Sequence, residues 1–216
     1  MTPSMLPRPA TLVRVVILAA VAACGGGVRA HRVLVPPRLD LLPYRRVALV
    51  TFTGENAKGS LPDVATARFS EDVLASQSGI ELLELGSEDT LVARVGEREF
   101  GPAAAQALGR AKDVPAVFVG HLKVSGVKPE AGLLSLVEGH VAATVSAELT
   151  VRLLSTESGG TLWRSSAVAS DRVGELSISG GVPYFAASDP KAAYGSLVDR
   201  LMAFVTRDLR PTWQER

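Results

Sequence analysis

Cysteine chemistry is confined to one position, because Cys24 is the only cysteine among the 216 residues. Its thiol closes a short apolar run and is followed by three glycines. One thiolate cannot build a structural metal site, which takes several soft ligands. An oxidising compartment would permit disulfides, but an intrachain disulfide is excluded because the sequence has no second cysteine. We therefore expect Cys24 to carry a covalent modification.

Common catalytic and phosphate-binding motifs are missing from the sequence. It contains no Gly-x-Ser-x-Gly elbow, no Walker A loop, no Gly-x-Gly-x-x-Gly and no His-Glu-x-x-His. Residues 25–27 (GGG) are glycine-rich, but no strand precedes them, so a tether is the better interpretation than a phosphate loop. We predict a protein that is not an enzyme and that uses no cofactor.

Histidines offer one candidate metal site. His121 and His140 would be neighbours if the strands that carry them pair, and Glu138 or Glu148 could then complete a surface site. Two ordinary histidines at strand ends are the preferred interpretation, so we predict that no metal is bound. His31 falls in the glycine-rich tether and needs no functional explanation.

The beginning of the chain has the pattern of a secretory signal peptide. Arg8 and Arg14 supply a positive n-region. Residues 15–21 form an apolar core that is too short to span a bilayer, which takes about 20 residues. The segment resembles the lipobox of a bacterial lipoprotein, in which the cysteine is alkylated with diacylglycerol and becomes the first mature residue. The residues of this motif are Val21, Ala22, Ala23 and the lipidated Cys24. A plain signal peptide that leaves a free thiol is the alternative.

The resemblance to lipoproteins also implies a location. Gly25 follows the cysteine, whereas an acidic residue there retains lipoproteins of enterobacterial type in the inner membrane. The expected location is therefore the outer membrane, with the domain on the periplasmic face. Several acyl chains on one residue anchor a protein stably, where one acyl group alone would be marginal.

Composition limits the fold and the partners. Lys plus Arg (23) balance Asp plus Glu (22), and a net charge of +1 gives no reason to expect nucleic acid. A hydrophobic content of 47% with only 5% aromatic residues predicts an aliphatic core. We divide the protein into a signal peptide (1–23), a lipid-anchored tether with an extended segment (24–45) and one α/β domain (46–216).

Hydrophobic periodicity predicts a parallel start to the domain. Residues 46–52 form a buried strand, 61–76 a helix with one apolar side, and 80–85 a second strand. A strand–helix–strand unit of this length implies a parallel pair joined by a right-handed crossover. Two short helices follow over 87–95 and 102–111, and a third strand over 114–124.

Strict alternation from residue 140 to 153 predicts a long strand with one apolar face. A returning strand runs from 161 to about 172, with Trp163 half-buried on it. The polar side of this antiparallel meander is our predicted partner surface: Thr144, Ser146, Glu148, Thr150 and Arg152. Residues 126–139 are expected to form a loop or a hairpin tip, and residues 174–188 a loop. Asp189 and Pro190 open a final helix.

These elements predict an α/β fold in a single domain, two-layer or three-layer-like. It has a mixed sheet with a parallel βαβ start and an antiparallel meander, helices packed on one face, and a C-terminal helix.

Three stretches resemble a superfamily of bacterial lipoproteins. They are residues 47–52 (VALVTF), a helix-to-strand step at 108–120 (LGRAKDVPAVFVG) and a hairpin at 149–163 (LTVRLLSTESGGTLW). The superfamily includes the curli secretion channel CsgG, the penicillin-binding-protein activator LpoB and the N-terminal domain of TolB. The motifs are packing and turn signatures, so they imply fold more than function.

Three functions are compared, of which the resemblance implies the second and the third. The first is a non-enzymatic binding or assembly factor that meets a protein partner in the cell envelope while its lipid holds it at the membrane. The second is an oligomeric export channel of CsgG type, whose pore hairpins would fall at residues 126–139 and 174–188. The third is an activator of a peptidoglycan synthase of LpoB type. Because both stretches look like short loops, we favour the binding factor and leave open whether it forms a homo-oligomer.

Overall fold

The computed structural model describes residues 32–57, 60–97, 99–125, 128–130, 140–179, 182–187 and 190–215. Cys24 and the rest of the predicted lipobox lie outside these residues. None of the helices in the described ranges combines the length and the hydropathy that crossing a bilayer requires.

Ten strands and four α-helices make up the described part of the protein. The strands are β1 (Arg32–Val35), β2 (Arg46–Thr51), β3 (Thr53–Glu55), β4 (Glu81–Ser87), β5 (Ala116–Val124), β6 (Lys128–Glu130), β7 (His140–Ser155), β8 (Thr161–Ser179), β9 (Val182–Ala187) and β10 (Thr212–Glu215). The α-helices are α1 (Leu61–Ser76), α2 (Glu88–Val95), α3 (Pro102–Lys112) and α4 (Pro190–Val205). Single 3₁₀ turns span Leu42–Tyr44 and Arg207–Leu209.

The main sheet is mixed, in the order β4-β2-β5-β7-β8-β9, with β3 beside β5 and β6 beside β7. β2 pairs in parallel with both β4 and β5. From β5 onward the pairs β5–β7, β7–β8 and β8–β9 are antiparallel. The parallel βαβ start, the antiparallel meander and the C-terminal helix are therefore confirmed.

The meander extends further than the sequence pattern predicts. β8 runs on to Ser179, and β9 pairs back onto it from Gly174↔Ala187 to Ser179↔Val182. The prediction of a loop over 174–188 is therefore wrong. The periodicity there is interrupted by Gly174, Gly180, Gly181 and Pro183. Antiparallel pairing forms nevertheless, because its hydrogen bonds join backbone groups and do not depend on the side chains. Within 126–139, which is predicted to be a loop or a hairpin tip, β6 pairs with β7 in the antiparallel sense of a hairpin.

The core occupies both faces of the sheet. α1 and α4 cover one face, where Phe69 and Leu201 pack over Phe118 and Leu149 in one buried cluster. α2 and α3 cover part of the other face, where Leu91 and Leu108 pack in a second cluster. The prediction of helices on one face is thus wrong, and the arrangement is three-layered. β2 shows the reason, because its residues 47–50 are all buried and need cover on both sides.

Aromatic rings cross the larger cluster in an unbroken series. The ring centroids of Phe52 and Phe69 lie 5.4 Å apart, those of Phe69 and Phe118 5.1 Å, and those of Phe118 and Trp163 6.1 Å. The last two pairs meet edge to face, the geometry that rings prefer. The core is mostly aliphatic, as predicted, but three of these rings are buried in its larger cluster and Trp163 packs against it. Trp163 is half-buried, also as predicted.

Helix α1 has the bounds that its pattern predicts, and all but one residue of its predicted apolar side are buried. Leu61, Ala65, Phe69 and Val73 are buried, whereas Val64 is 42% exposed. Polar residues take the neighbouring buried positions. The hydroxyl of Thr66, for example, accepts a hydrogen bond from the backbone N–H of Phe52 at 2.8 Å.

The segment before β2 is part of the core. Leu39 and Leu41 are both buried in the α1–α4 cluster, so the segment packs against the domain, as its apolar residues indicated. Residues 36–212 form one compact unit. β1 pairs with β10 in a separate two-stranded sheet.

Candidate polar site on the open sheet face

Part of the sheet face on the α2–α3 side carries polar side chains that stay accessible. We call this surface the polar face. It begins where β5 passes the end of the smaller core cluster, after Val119, and continues across β7 and β8. Its members are His121 and Lys123 of β5, Thr144, Ser146, Glu148, Thr150 and Arg152 of β7, and Arg164, Ser166, Val168 and Ser170 of β8.

Antiparallel registry positions these side chains. Alternate residues of β7 point into the core, and Val145 through Leu153 are buried in this alternation. The residues between them must face the other way. Hydroxyl pairs bridge the strands there, with Ser146 Oγ 2.7 Å from Ser170 Oγ and Thr150 Oγ1 2.9 Å from Ser166 Oγ. The face is therefore ordered by its own hydrogen bonds.

A charged cluster lies at the β3 end of the polar face. Lys123 Nζ is 2.8 Å from the Glu55 carboxylate, and His121 Nε2 is 3.7 Å from it. The hydrogen bond from Lys123 lowers the pKa of Glu55, with smaller contributions from the charges of Lys123 and His121. The same contact raises the pKa of Lys123. On its other nitrogen, His121 Nδ1 lies 2.9 Å from Thr53 Oγ1.

A pocket of about 220 Å³ opens where the polar face meets α2. Its walls combine apolar, hydroxyl and charged groups. They are Thr53, Glu88, Phe100, Val119, Gly120, His121, Thr150 and Arg152. Such a mixture of apolar walls and a few convergent polar groups is typical of binding sites, although this pocket is smaller than those for drug-sized ligands.

Glu88 enters this pocket from the first position of α2. Ser87 precedes the helix, and its hydroxyl bonds Thr90 Oγ1 at 2.8 Å and does not cap a backbone N–H. Partial burial raises the pKa of Glu88 and outweighs the hydrogen bond from the Phe100 backbone. The nearby positive charge of Arg152 acts in the opposite direction, to lower that pKa.

The structure brings the predicted partner residues together and separates the two histidines. Thr144, Ser146, Glu148, Thr150 and Arg152 all lie on the polar face. In contrast, His121 pairs with Thr150, ten residues along β7 from His140. Ten residues of strand span roughly 33 Å. His140 faces Ser177 of β8 instead. The hypothetical metal site at His121 and His140 is therefore not formed, and the described residues contain no group of three metal-ligating side chains.

Sequence reasoning missed Glu88 and Thr53 as members of the pocket. Glu88 looked like an ordinary acidic residue in the first turn of a helix, where it complements the helix dipole. Thr53 follows a predicted strand and belongs to no recognised sequence motif. The signal that could have found Thr53 is its position after a buried parallel strand, since ligands gather at the carboxyl ends of such strands.

Comparisons with known proteins give no family for this protein. No family model matches it, and no curated protein sequence matches it. Among solved structures, a PelC dodecamer from Paraburkholderia phytofirmans is 15% identical and has a TM-score of 0.44. That similarity covers 84% of this chain and 97% of the other.

Two further structures show likenesses of the same low level. The lipoprotein GNA1162 from Neisseria meningitidis is 17% identical over 73% of this chain and 95% of its own, with a TM-score of 0.38. The LpoB C-terminal domain from Escherichia coli is 14% identical over 70% and 93%, with a TM-score of 0.35. At such values the comparisons support no conclusion about function, and the similarity to CsgG and TolB stays one of sequence motifs.

Proposed function

We propose that this protein is a lipoprotein of the bacterial cell envelope. It acts as a non-enzymatic binding or assembly factor, and it meets its partner protein through the polar face. The observation that carries the proposal is the polar face itself. Eleven side chains of three strands lie accessible on one side of a sheet whose other side is closed by α1 and α4.

The chemistry of the polar face favours recognition over catalysis. Its hydroxyl groups are paired with one another, as in Thr150 with Ser166, and its cluster of Glu55, Lys123 and His121 forms ion pairs. One apolar side chain, Val168, is 66% exposed at the centre of β8. Interfaces between proteins that associate reversibly are about as apolar as the rest of a protein surface, so a largely polar face with one exposed valine is compatible with such an interface.

The attachment to the membrane rests on Cys24. We propose that it carries diacylglycerol and acyl chains and holds the domain at the outer membrane on its periplasmic face. Confinement to the membrane raises the effective concentration of the domain for any partner in the same envelope, without a new contact between them.

Site-specific photocrosslinking in living cells tests the polar face. A photoreactive residue at Ser166 samples the polar face, and one at Leu74 on α1 is the control, because Leu74 is exposed on the other layer of the domain. We expect a covalent adduct to a particular envelope protein from position 166 and not from position 74. Adducts from both positions, or from neither, would contradict the proposal. An adduct of twice the protein's own mass would identify a homo-oligomer, and one to a peptidoglycan synthase would support the activator of LpoB type.

Mass spectrometry of the mature N-terminus tests the anchor. We expect an acylated Cys24 as first residue in the membrane fraction, and no acylated form of the Cys24→Ser variant. An unmodified thiol, or cleavage at another position, would overturn the proposed location.

The β8–β9 hairpin favours a second candidate, an oligomeric export channel of CsgG type. The predicted loops were the reason to set a channel aside, and one of them is instead a strand pair from Gly174 to Ala187. Reconstitution of the full-length protein in liposomes decides between the two. Ion conductance by a ring-shaped oligomer would support the channel, whereas a monomer that does not conduct would leave the binding factor.

A further inference from the structure

Arg152 is the starting point for a more specific inference about the partner. Five exposed arginines form no ion pair among the described residues: Arg45, Arg94, Arg110, Arg164 and Arg207. Several other arginines have a carboxylate within 4.0 Å. Arg46, for example, pairs with Glu81 at 2.8 Å and Arg210 with Asp72 at 2.6 Å. Arg152 has no such ion pair among the described residues, although it is half-buried in the pocket wall.

Cross-strand registry adds a second positive charge beside it. Arg152 lies directly opposite Arg164 of β8. Like charges at opposed positions of an antiparallel pair destabilise the sheet. The fold therefore holds a guanidinium without an ion pair among the described residues, with its rigid fork of donors, in the wall of a pocket. An anion bound there would offset this repulsion.

The pocket selects among anions by charge and size. Glu88 lines the same pocket, so a dianion such as phosphate meets more repulsion there than a monoanion does. A guanidinium matches the planar geometry of a carboxylate in a bidentate pair. The hydroxyls of Thr53 and Thr150 add polar atoms to the walls, and Phe100 adds apolar surface. A volume of about 220 Å³ suits one side chain or one polypeptide terminus.

We propose that the Arg152 pocket binds a carboxylate that the partner protein presents, from an acidic side chain or from its C-terminal carboxyl group. The inference rests on the proposed function, because it takes the polar face as the surface where the partner docks. It assigns to that surface one anchoring contact, the pair between the Arg152 guanidinium and the partner's carboxylate. The carboxylate of Glu88, which lines the same pocket, repels the partner's carboxylate.

Peptide titration of the full-length protein in detergent tests the pocket. The probes are acetyl-Ala-Ala-Glu-Ala-Ala-amide, the same peptide with Gln in place of Glu, and a free-acid penta-alanine. Sodium acetate and inorganic phosphate are separate arms. Arginine side-chain NMR follows Arg152 directly. We expect the Glu peptide or the free-acid peptide to bind at least tenfold more tightly than the Gln peptide. If acetate binds as tightly as the peptides, the claim that the carboxylate belongs to a polypeptide is wrong. If phosphate binds more tightly than the carboxylates, the claim that the ligand is a carboxylate is wrong.

Three variants separate binding from folding. Arg152→Gln should weaken peptide binding about tenfold, as expected for one charged hydrogen-bonded pair. Arg207→Gln removes the same charge from the exposed end of the α4 layer and should leave binding within about twofold. Glu88→Gln removes the repulsion between Glu88 and the bound carboxylate and should tighten binding severalfold, a gain that misfolding cannot produce. Equal losses in Arg152→Gln and Arg207→Gln, or weaker binding in Glu88→Gln, would overturn the inference.

Failure of this inference is distinguishable from failure of the proposed function. If photocrosslinking at Ser166 finds a partner but the peptides do not bind, the polar face remains an interface without a carboxylate anchor. If no crosslink forms while the Glu peptide binds in an Arg152-dependent manner, the inference about the pocket stands. The proposal that the polar face is the partner surface then fails.

Discussion

Replacing Gln77 by methionine should remove the hydrogen bonds that connect the end of helix α1 to the segments before β2 and after α4. Gln77 follows the last residue of α1 and is only 6% exposed. Its side-chain oxygen accepts a hydrogen bond from the Leu41 N–H at 3.0 Å. Its side-chain nitrogen donates to the carbonyls of Leu39 at 3.1 Å and Leu209 at 2.6 Å. One buried amide therefore connects α1 to the segment before β2 and to the segment after α4.

The expected loss follows from these three bonds. Methionine has nearly the volume of glutamine, so the packing changes little. Three buried backbone groups lose a partner, however, and each such group costs about 1–3 kcal/mol. The loss from the hydrogen bonds is thus roughly 3–9 kcal/mol. Burial of an apolar thioether in place of an amide, together with local relaxation, offsets part of it. We expect the free energy of unfolding to fall by about 3 kcal/mol.

Urea unfolding of the full-length protein measures this change, with Gln106→Met as the matched control. Gln106 lies on α3 and donates one hydrogen bond, at 3.0 Å, to the Glu157 carbonyl at the surface. Because water can replace that bond, the control should lose less than about 1 kcal/mol. Hydrogen exchange gives a local measurement, since the amide of Leu41 should exchange faster in Gln77→Met.

A loss in Gln77→Met of under about 1 kcal/mol, or one equal to that of the control, would refute this reasoning. It would mean that other groups satisfy the three backbone partners when Gln77 is gone. Unchanged exchange at Leu41 would lead to the same conclusion.

Three further predictions concern single positions. Gly120→Ala should cost about 1–3 kcal/mol in urea unfolding, because a Cβ at this position would overlap the buried ring of Phe52. Asp171 accepts a hydrogen bond from the Ser196 hydroxyl, the main cause of its lowered pKa. Asp171→Asn should therefore destabilise the fold near neutral pH, and the difference should shrink as the pH falls through the lowered pKa. The pKa of Glu88 is raised by burial, so NMR titration should show it protonating at a higher pH than an exposed glutamate. Its burial then lowers the free energy of unfolding as the pH rises between the unfolded and folded pKa values.

Local patterns predict the elements of this fold well where one face of an element is buried. The alternation in β7 and the apolar stripe of α1 identify a strand and a helix that the structure contains, and the bounds of α1 are as predicted. The pattern fails over 174–188, where glycines and a proline interrupt it. There a neighbouring strand supplies the pairing, and no local signal reports a neighbour.

The candidate site was predictable in part for the same reason. Period two along β7 places Thr150 and Arg152 on one surface, so the polar face follows from the sequence. Glu88 comes from a helix that precedes β7 by more than forty residues. Its place beside Arg152 depends on how α2 packs over the sheet, which periodicity does not encode.

The sequence by itself determined the mixed sheet and the polar side of the meander. Only the tertiary structure decided that helices cover both sheet faces, that His121 and His140 lie far apart, and that Arg152 faces a pocket without an ion pair among the described residues. The physical reason is the distance along the chain between the residues that interact. Periodicity reports which side chains of one element share a face, whereas burial and pairing depend on what another element brings to that face. Gln77 is the clearest case, because its hydrogen-bond partners lie 36 to 132 residues away.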